Sequence, residues 1–359
     1  MSVRKLPSGK WQGQYRDVAG GRHTQVWPTK TAAKQWAEHG QAQVRAGLHR
    51  DPRAGQLLLK DWHRRWLAAR VVEDATHRAD RTYVPWVLEQ WASWPVGSIT
   101  RLEVQGWVRR LQADGRKPSA VAKAVQQLAS VLEAAVNDDL IASNPVRGIR
   151  LPHRPRPIDR IITAAEERAL LDSMPLEQDW QMLEVLLDTA LRYGELAGLH
   201  GHRVDLLRKE LQVVETLTQR GTVKAYPKSR ASQRVVPLTD RAVLALSRAM
   251  VARGRDDLVF RALRRSPGKT TFGPVVESNW RARAWLPACE RAGLAKPWPT
   301  PHDTRHTALS RLVAQGVDIR TVQAIAGHES LQTTSRYLHV QPDAHDRVRA
   351  AHRRISAQD

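Results

Sequence analysis

The sequence contains a single cysteine, Cys289, among its 359 residues. One cysteine excludes an internal disulfide and a zinc site built from several thiolates, so we expect Cys289 to be a packing residue. No apolar run approaches the roughly 20 residues that cross a bilayer as a helix. The opening residues, MSVRKLPSGKW, lack the apolar stretch of a signal peptide. These absences predict a soluble protein of the cytoplasm with no membrane partner.

Acidic residues are also scarce relative to basic ones. The chain has 36 Asp and Glu against 57 Lys and Arg, for a formal net charge of +21. Such an excess favours a polyanionic partner, because neutralising phosphates releases condensed counterions. Charge alone leaves open a DNA partner, an RNA partner and an architectural role. The hydrophobic fraction of 42% is high enough for packed cores, so we do not expect extended disorder.

Residues 1–50 are predicted to form a small β-β-β-α unit. Gly9 and the pair Gly20-Gly21 mark turns between short runs, one of which alternates with a period of two from Trp11 to Arg16. Thr29 is a suitable N-cap for the helix that follows. The unit is either an oligomerisation module or a sheet that enters a DNA major groove, and its basic character favours the second.

Residues 56–148 are predicted to form a helical bundle. Apolar residues recur there at helical spacing, as expected for faces that pack into one core. Thr100 is predicted to cap one helix, and Pro118 to begin the next, which Asn144 and Pro145 are expected to end.

Three segments complete the predicted domain organisation. Residues 149–161, IRLPHRPRPIDRI, contain repeated prolines that exclude a helix and predict a stiff, basic linker. Residues 162–345 are predicted to form a mixed α+β, mainly helical domain with strands in LQVVET, TVKAYP and RVVPL. The basic tail, 346–359, either stays disordered or docks on a neighbouring subunit. The predicted fold class is therefore multidomain.

Two motifs resemble catalytic signatures but lack an essential residue. Gly268-Lys269-Thr270 resembles the end of a phosphate-binding loop, yet Leu263 stands where the first glycine of that loop is needed. The segment His302–His306 has the histidine spacing of a zinc metalloprotease helix, but Asp replaces the general-base Glu and an Arg lies beside the metal position. We therefore expect neither a nucleotide nor a metal cofactor.

The same segment also has the features of an anion site at the start of a helix. Thr300 and Pro301 are typical of a helix start, which places His302 and Arg305 on one face of the first turns, where an anion is stabilised. Tyr337 follows farther along the chain. A lone tyrosine on an amphipathic segment is usually a core residue, so this signal is weak by itself.

Taken in order, four segments resemble the motifs of the tyrosine recombinase (phage integrase) family: TALRYGELAGL, PKSRASQRVVPL, HDTRH and GHESLQTTSRYLH. The resemblance spans residues 185–340. With lower specificity it extends to the helical segment, which is similar to the family's core-binding domain, and to residues 1–50, which are similar to an arm-binding sheet. Ala190 and Thr304 depart from the family pattern, which usually has Gly and Leu there.

The resemblance implies a set of site residues and a role for each. Tyr337 is the expected nucleophile, which forms a 3′-phosphotyrosine, and Lys228 is the expected general acid for the 5′-oxygen. Glu195 is expected to orient Arg192 and the histidines. The groups expected to bind the scissile phosphate are Arg192, His302, Arg305 and His328. His302 is also a candidate for removing the tyrosine proton.

The resemblance also implies partners and a biological role. It predicts an integrase that binds core and arm sites on double-stranded DNA, acts as a homotetramer and needs no cofactor. A host DNA-bending protein and an excisionase are further candidate partners, in a bacterial cell at the nucleoid. Two alternatives remain open. A type IB topoisomerase is disfavoured by the N-terminal sheet, and a non-catalytic DNA-binding regulator by the complete set of catalytic residue types.

Overall fold

A computed structural model describes residues 1–18, 20–47, 51, 53–70, 74–153, 160–218, 221–224, 233–251, 253–263, 272–340 and 349. Lys228, the loop motif at 268–270 and most of the basic tail lie outside the described residues. The chain divides into two compact units, Met1–Arg156 and Pro157–Asp359. That division falls inside the predicted linker, whereas the predicted boundaries at 50 and 345 stay predictions. In the part of the chain described, none of the helices combines the length and hydropathy of a membrane span.

The first unit begins with the expected β-β-β-α arrangement. Strands β1 (Ser2–Lys5), β2 (Trp11–Arg16) and β3 (Arg22–Trp27) form an antiparallel sheet in that order. Helix α1 (Lys30–Arg45) follows, and the Thr29 side chain accepts a hydrogen bond from the third residue of its first turn.

Two glycines allow α1 to lie directly on the sheet. A Cβ at Gly13 would be 2.4 Å from the carbonyl oxygen of Ala33. A Cβ at Gly40 would be 2.3 Å from the ring of Tyr15, a ring that is itself buried. The sheet and helix therefore approach more closely than any other residue type permits at these positions.

The rest of the first unit is helical, as predicted. Its helices are α2 (Leu59–Ala69), α3 (Asp74–Trp91), α4 (Arg101–Ala113) and α5 (Pro118–Asn137). Thr100 caps α4, as predicted, and the buried face of this helix consists of Val104, Trp107, Val108 and Leu111.

The predicted end of α5 is wrong. The helix ends at Asn137, and the backbone of Asp139 turns into the left-handed region with φ 58°. The side chain of Asn144 instead donates to the carbonyl of Ala129 and accepts from the amide of Val146. Asn144 therefore closes the loop that follows the helix rather than the helix itself.

The second unit combines helices with two small sheets. The elements are α6 (Ala164–Asp172), α7 (Glu177–Thr189), α8 (Tyr193–Ala197), β4 (Val204–Asp205), β5 (Glu210–Val213), β6 (Thr216–Leu217), β7 (Val223–Lys224), β8 (Arg234–Pro237), α9 (Asp240–Ala249), α10 (Glu277–Trp280), α11 (Leu286–Arg291), α12 (Pro301–Ala314), α13 (Ile319–Ala326) and α14 (Leu331–Ser335). Strands β4, β5 and β8 pair antiparallel in that order, and β6 pairs with β7. A π-helical turn, Arg281–Trp285, joins α10 to α11, and a 3₁₀ turn, Arg336–Val340, follows α14.

The core of this unit lies between the helices and the larger sheet. Cys289 is part of it, as expected for a packing residue, and burial raises the pKa of its thiol to about 11. A smaller cluster joins the end of α7 with α12, α13 and the 3₁₀ turn, and it contains Tyr337. This second cluster holds the candidate site.

Candidate active site

The first turn of α12 is organised by its own sequence. Thr300 and Asp303 form a capping box, in which the amide and hydroxyl of Thr300 donate to Asp303 Oδ2 at 2.6 and 2.8 Å. Pro301 occupies the first helical position, as predicted. This start leaves the side chain of His302 exposed and directs that of Arg305 into the protein.

Arg305 is 1% exposed and is held by the main chain on two sides. Its Nη1 donates to the carbonyl of Ala190 at 2.6 Å, and its Nη2 donates to that of Ala326. The same Nη2 lies 3.1 Å from Nε2 of His328. Burial, with the nearby charge of Arg192, lowers the pKa of Arg305 to about 9, so the guanidinium stays charged at neutral pH. Arg305 therefore ties the end of α7 to the end of α13.

Glu195 lies between two arginines. Arg192 Nη1 donates to its Oε1, and Arg234 Nη2 to its Oε2, both at 2.8 Å. Burial opposes ionisation of this carboxyl, but the hydrogen bond from Arg234 and the charges of both arginines outweigh it and lower the Glu195 pKa. Glu195 therefore contacts Arg192, and its expected role in orienting that arginine stays a prediction. The hydrogen bonds described for Glu195 come from the two arginines, whereas the resemblance implied that it also orients the histidines.

The two arginines differ in their access to a ligand. The side chain of Arg192 is 38% exposed, whereas that of Arg234 is 6% exposed. Arg234 also donates to the carbonyl of Ile325. We therefore assign Arg234 a supporting position behind Arg192. Sequence reasoning missed Arg234, although it begins the segment RVVPL that carries part of the resemblance.

His302 and His328 lie beside these cations. Protein atoms crowd both rings, although His302 keeps an exposed face, and this desolvation is the largest cause that lowers each pKa to about 4. The neighbouring charge of Arg305 lowers both further. His328 follows Gly327, the left-handed residue that ends α13, and its Nδ1 lies 2.9 Å from the hydroxyl of Thr334. Both histidines are therefore neutral at pH 7 and can offer one N–H each.

Tyr337 is 2% exposed, on the 3₁₀ turn after α14. Its hydroxyl lies 2.7 Å from Nδ1 of His306, which is 8% exposed. The ring of His306 meets the ring of His302 edge-on, with centroids 4.8 Å apart. The phenol also interacts electrostatically with Arg305. Sequence reasoning missed His306 in this role, because its spacing from His302 was considered only as a zinc signature.

The structure thus brings together most of the predicted site residues. The residues that meet around α12 are Arg192, Glu195, His302, Arg305, His328 and Tyr337. Lys228 lies outside the described residues, so its position at this site stays a prediction. Among the residues described, no group of three or more His, Cys, Asp or Glu side chains is arranged to hold a metal ion. The cluster instead combines a buried phenol with several cations, which suits a phosphate and a tyrosine nucleophile.

Known proteins resemble this chain in sequence. The model of the phage integrase family matches residues 154–344. Tyrosine recombinase XerD of Pseudomonas aeruginosa is 30% identical over 270 residues, which cover 70% of this chain and 84% of XerD. Tyrosine recombinase XerC of Psychromonas ingrahamii is 28% identical over 255 residues, 68% of this chain and 79% of XerC.

Two solved structures share the fold. The integrase of transposon Tn1549, in complex with a circular intermediate DNA, superposes with a TM-score of 0.69 at 20% identity and covers 83% of this chain and 99% of its own. A lambda integrase dimer bound to a core site superposes with a TM-score of 0.60 at 18% identity, and covers 94% of each chain. The second likeness therefore extends over nearly the whole chain.

Proposed function

Because the chain belongs to the phage integrase family of tyrosine recombinases, we propose that it integrates and excises a phage or another mobile element by cutting and rejoining double-stranded DNA. The observation that carries the proposal is the position of the Tyr337 hydroxyl. It lies in a buried cluster with Arg305 and two histidines, supplied by segments far apart in the sequence.

The side chains divide into those that face a phosphate and those that hold them. Arg192 and His302 are the exposed donors, and they are suited to contact the phosphate oxygens. Arg305 lies behind them with both terminal nitrogens on carbonyls, so its charge acts on the developing negative charge from a fixed position. His328, neutral at pH 7, accepts from Arg305 at Nε2 and helps to fix that guanidinium.

The proposed reaction is a transfer of one phosphodiester bond. The phenol oxygen of Tyr337 attacks the phosphorus, the 5′-oxygen leaves, and Lys228 protonates that oxygen. The DNA is then held as a 3′-phosphotyrosine, and attack by a 5′-hydroxyl reverses the step. Because the bond energy is kept in the covalent link, the reaction needs neither ATP nor a metal ion.

The N-terminal sheet supplies a candidate surface for arm DNA. Gly13 and Tyr15 face α1, so the alternate residues of β2 and their cross-strand partners share the opposite face. The polar residues of that face are Ser2, Arg4, Gln12, Gln14, Arg16, Arg22 and Thr24. No acidic side chain belongs to this set. Arginine and glutamine are side chains that read guanine and adenine, respectively, in the major groove. We propose that this face binds the arm sites.

Further partners follow from the same proposal. A lambda integrase tetramer bound to a Holliday junction shares the fold with a TM-score of 0.60, which supports a homotetramer on paired DNA sites. A host DNA-bending protein and an excisionase would bring core and arm sites together and set the direction of the reaction. We expect the active assembly on DNA at the bacterial nucleoid.

Trapping the covalent intermediate tests the catalytic proposal. The wild-type protein is incubated in EDTA with its core site, recovered from the junctions of the element and nicked so that the cleaved end diffuses away. We expect a protein–DNA adduct on a denaturing gel, and no adduct with Tyr337→Phe. An adduct that persists in the phenylalanine variant, or none with wild type, would contradict the proposal.

Recombination between two sites separates the alternatives. An integrase joins two differently labelled duplexes, whereas a topoisomerase relaxes supercoiled DNA without exchanging partners. A regulator binds and does neither. Deleting residues 1–50 is expected to leave core-site cleavage intact and to abolish integration on sites with arms. Equal integration by the truncated protein would contradict the role of the N-terminal sheet.

A further inference from the structure

The geometry points to His306 as the base that takes the proton from Tyr337 when its oxygen attacks the phosphate. This inference rests on the proposed function and assigns a step that the family resemblance left to His302. The base would then lie behind the nucleophile, on the buried side of α12, rather than on the face that meets DNA.

The contact between the two residues is short and shielded. The distance from His306 Nδ1 to the Tyr337 hydroxyl is 2.7 Å, within the range for direct proton transfer. Both residues are almost fully buried, and Leu309 and Val322 belong to the same apolar cluster as Tyr337. A buried phenol keeps its partner, because water cannot compete for the proton. With Nδ1 of His306 unprotonated, the nucleophile has an acceptor in place before DNA arrives.

His302 is the exposed neighbour of this pair. It lies edge-on against His306, with ring centroids 4.8 Å apart, and keeps a face toward solvent. In this inference His302 acts on the phosphate, while His306 alone receives the proton from the phenol and holds it until the strand is rejoined.

The step balances without a further reagent. The O–H bond of Tyr337 breaks and an Nδ1–H bond forms on His306. The phenol oxygen bonds to phosphorus, the bond to the 5′-oxygen breaks, and that oxygen takes a proton from Lys228. Rejoining runs in reverse, so the imidazolium returns its proton to the tyrosine as the phosphotyrosine bond breaks. His306 must begin neutral, with Nδ1 unprotonated and the proton on Nε2.

The described titratable groups around the pair are three arginines, two histidines that are neutral at pH 7, and one aspartate. Those on α12 are His302, Asp303 and Arg305, and those from other elements are Arg192, His328 and Arg336. On α7, Glu184 and Asp188 line a separate cleft with Arg311.

These surroundings link proton transfer to DNA binding. Nearby guanidiniums favour the phenolate but resist a further positive charge on His306. An arriving phosphodiester brings negative charge that offsets this resistance. The transfer is therefore expected to become favourable only when DNA occupies the site.

Single-turnover cleavage of the nicked core site tests the inference. We expect His306→Ala to slow adduct formation about 100-fold or more, the usual contribution of a general base, without weakening DNA binding in a mobility-shift assay. His306→Asn keeps a side-chain acceptor but cannot take the proton, so it should remain slow. Because both variants must start from the phenolate, their rates should rise with pH more steeply than the wild-type rate.

Ser310→Ala is the matched control. Ser310 lies one turn farther along α12, is equally buried, and its hydroxyl has no hydrogen-bond partner among the described residues. This variant should cleave at the wild-type rate. Thermal melting of all three variants checks their folding, and His306→Asn carries the test if the alanine variant does not fold.

A substrate with sulfur in place of the 5′-bridging oxygen separates base from acid. The thiolate leaves without protonation. This substrate should therefore restore the cleavage rate of Lys228→Ala, while cleavage by His306→Ala should stay slow. Rescue of His306→Ala by sulfur would overturn the inference, as would a His306→Ala rate equal to or above wild type. A wild-type rate and pH profile in His306→Asn would also overturn it. If the wild-type protein forms no adduct at all, the proposed function fails. If the adduct forms and depends on Tyr337 but the His306 variants cleave normally, only the assignment of His306 as the base is contradicted.

Discussion

At the scale of single residues, Ala190 has the most unusual backbone near the site. It ends α7 in the left-handed conformation, with φ 55° and ψ 23°, and its carbonyl accepts from Arg305. An L-residue with a Cβ in this conformation costs about 1–2 kcal/mol, and glycine, common here among family members, avoids that cost. The strain is thus located where the chain must present a carbonyl to Arg305.

Replacing Ala190 with Gly should therefore stabilise the protein. Part of the relief is offset by one lost buried methyl, worth about 0.8 kcal/mol, so we expect a net gain of about 0.2–1.2 kcal/mol in the free energy of unfolding. Urea denaturation measures it. The control is Ala308→Gly, in the middle of α12 and in the same cluster, which should lose about 2 kcal/mol through lower helix propensity and the lost methyl. A loss in both variants would show that packing outweighs strain at Ala190.

Substituting Glu195 should destabilise the protein more than substitution at most other positions of the second unit. The Glu195 carboxylate is shared by Arg192 and Arg234, and Glu195→Gln removes a buried negative charge that both guanidiniums contact. Breaking a buried pair typically costs about 3–5 kcal/mol. We expect a loss of that order in chemical denaturation, together with slower cleavage. Glu38→Gln, in an exposed pair with Lys34, should change stability by less than about 0.5 kcal/mol.

The depressed pKa values of His302 and His328 predict a pH dependence of stability. Each pKa is about 4 in the folded protein and near the ordinary 6.5 when unfolded, so the unfolded chain binds more protons between these values. Stability should therefore fall as the pH is lowered from 6.5 toward 4. His328→Gln should make this dependence shallower by up to about one proton. An unchanged slope in urea denaturation at several pH values would contradict the assignment.

At the scale of elements, helix starts follow from local chemistry, whereas ends depend on packing. Thr29, Thr100 and Thr300 cap the helices that their sequences predict, because the bonded groups are only three residues apart. The end of α5 was misplaced, because the side chain of Asn144 reaches back to Ala129 across the loop. That contact exists only after the loop has folded.

The N-terminal sheet and α1 make a prediction at the same scale. A methyl group at Gly40 would clash with the ring of Tyr15, so Gly40→Ala should loosen the helix from the sheet. We expect faster proteolysis within residues 1–50 and loss of arm-DNA binding, with core-site cleavage retained. Gly106→Ala on α4 is the control, because its added Cβ meets only the end of a flexible arginine side chain at 3.5 Å. Equal protease resistance in the two variants would contradict the close approach.

At the scale of the whole molecule, the net charge of +21 governs how binding responds to salt. The logarithm of the association constant falls with that of the salt concentration, by about 0.9 for each phosphate neutralised. Changing Arg16 and Arg22 to Gln should therefore reduce the slope on arm DNA by up to about two. The slope on core DNA should be unchanged, which a salt titration of each DNA measures. An equal change on both would mean that the sheet does not distinguish them.

The sequence by itself determined the order of the motifs, the helix starts, the β-β-β-α unit and the identity of the nucleophile candidate. These depend on contacts within a few residues or on a linear pattern. The tertiary structure decided which groups meet: Tyr337 with His306, Arg234 with Glu195, and Arg305 with the carbonyls of Ala190 and Ala326. Such pairs join distant parts of the chain, and a hydrogen bond requires positions accurate to a fraction of an ångström, which only the packed core provides.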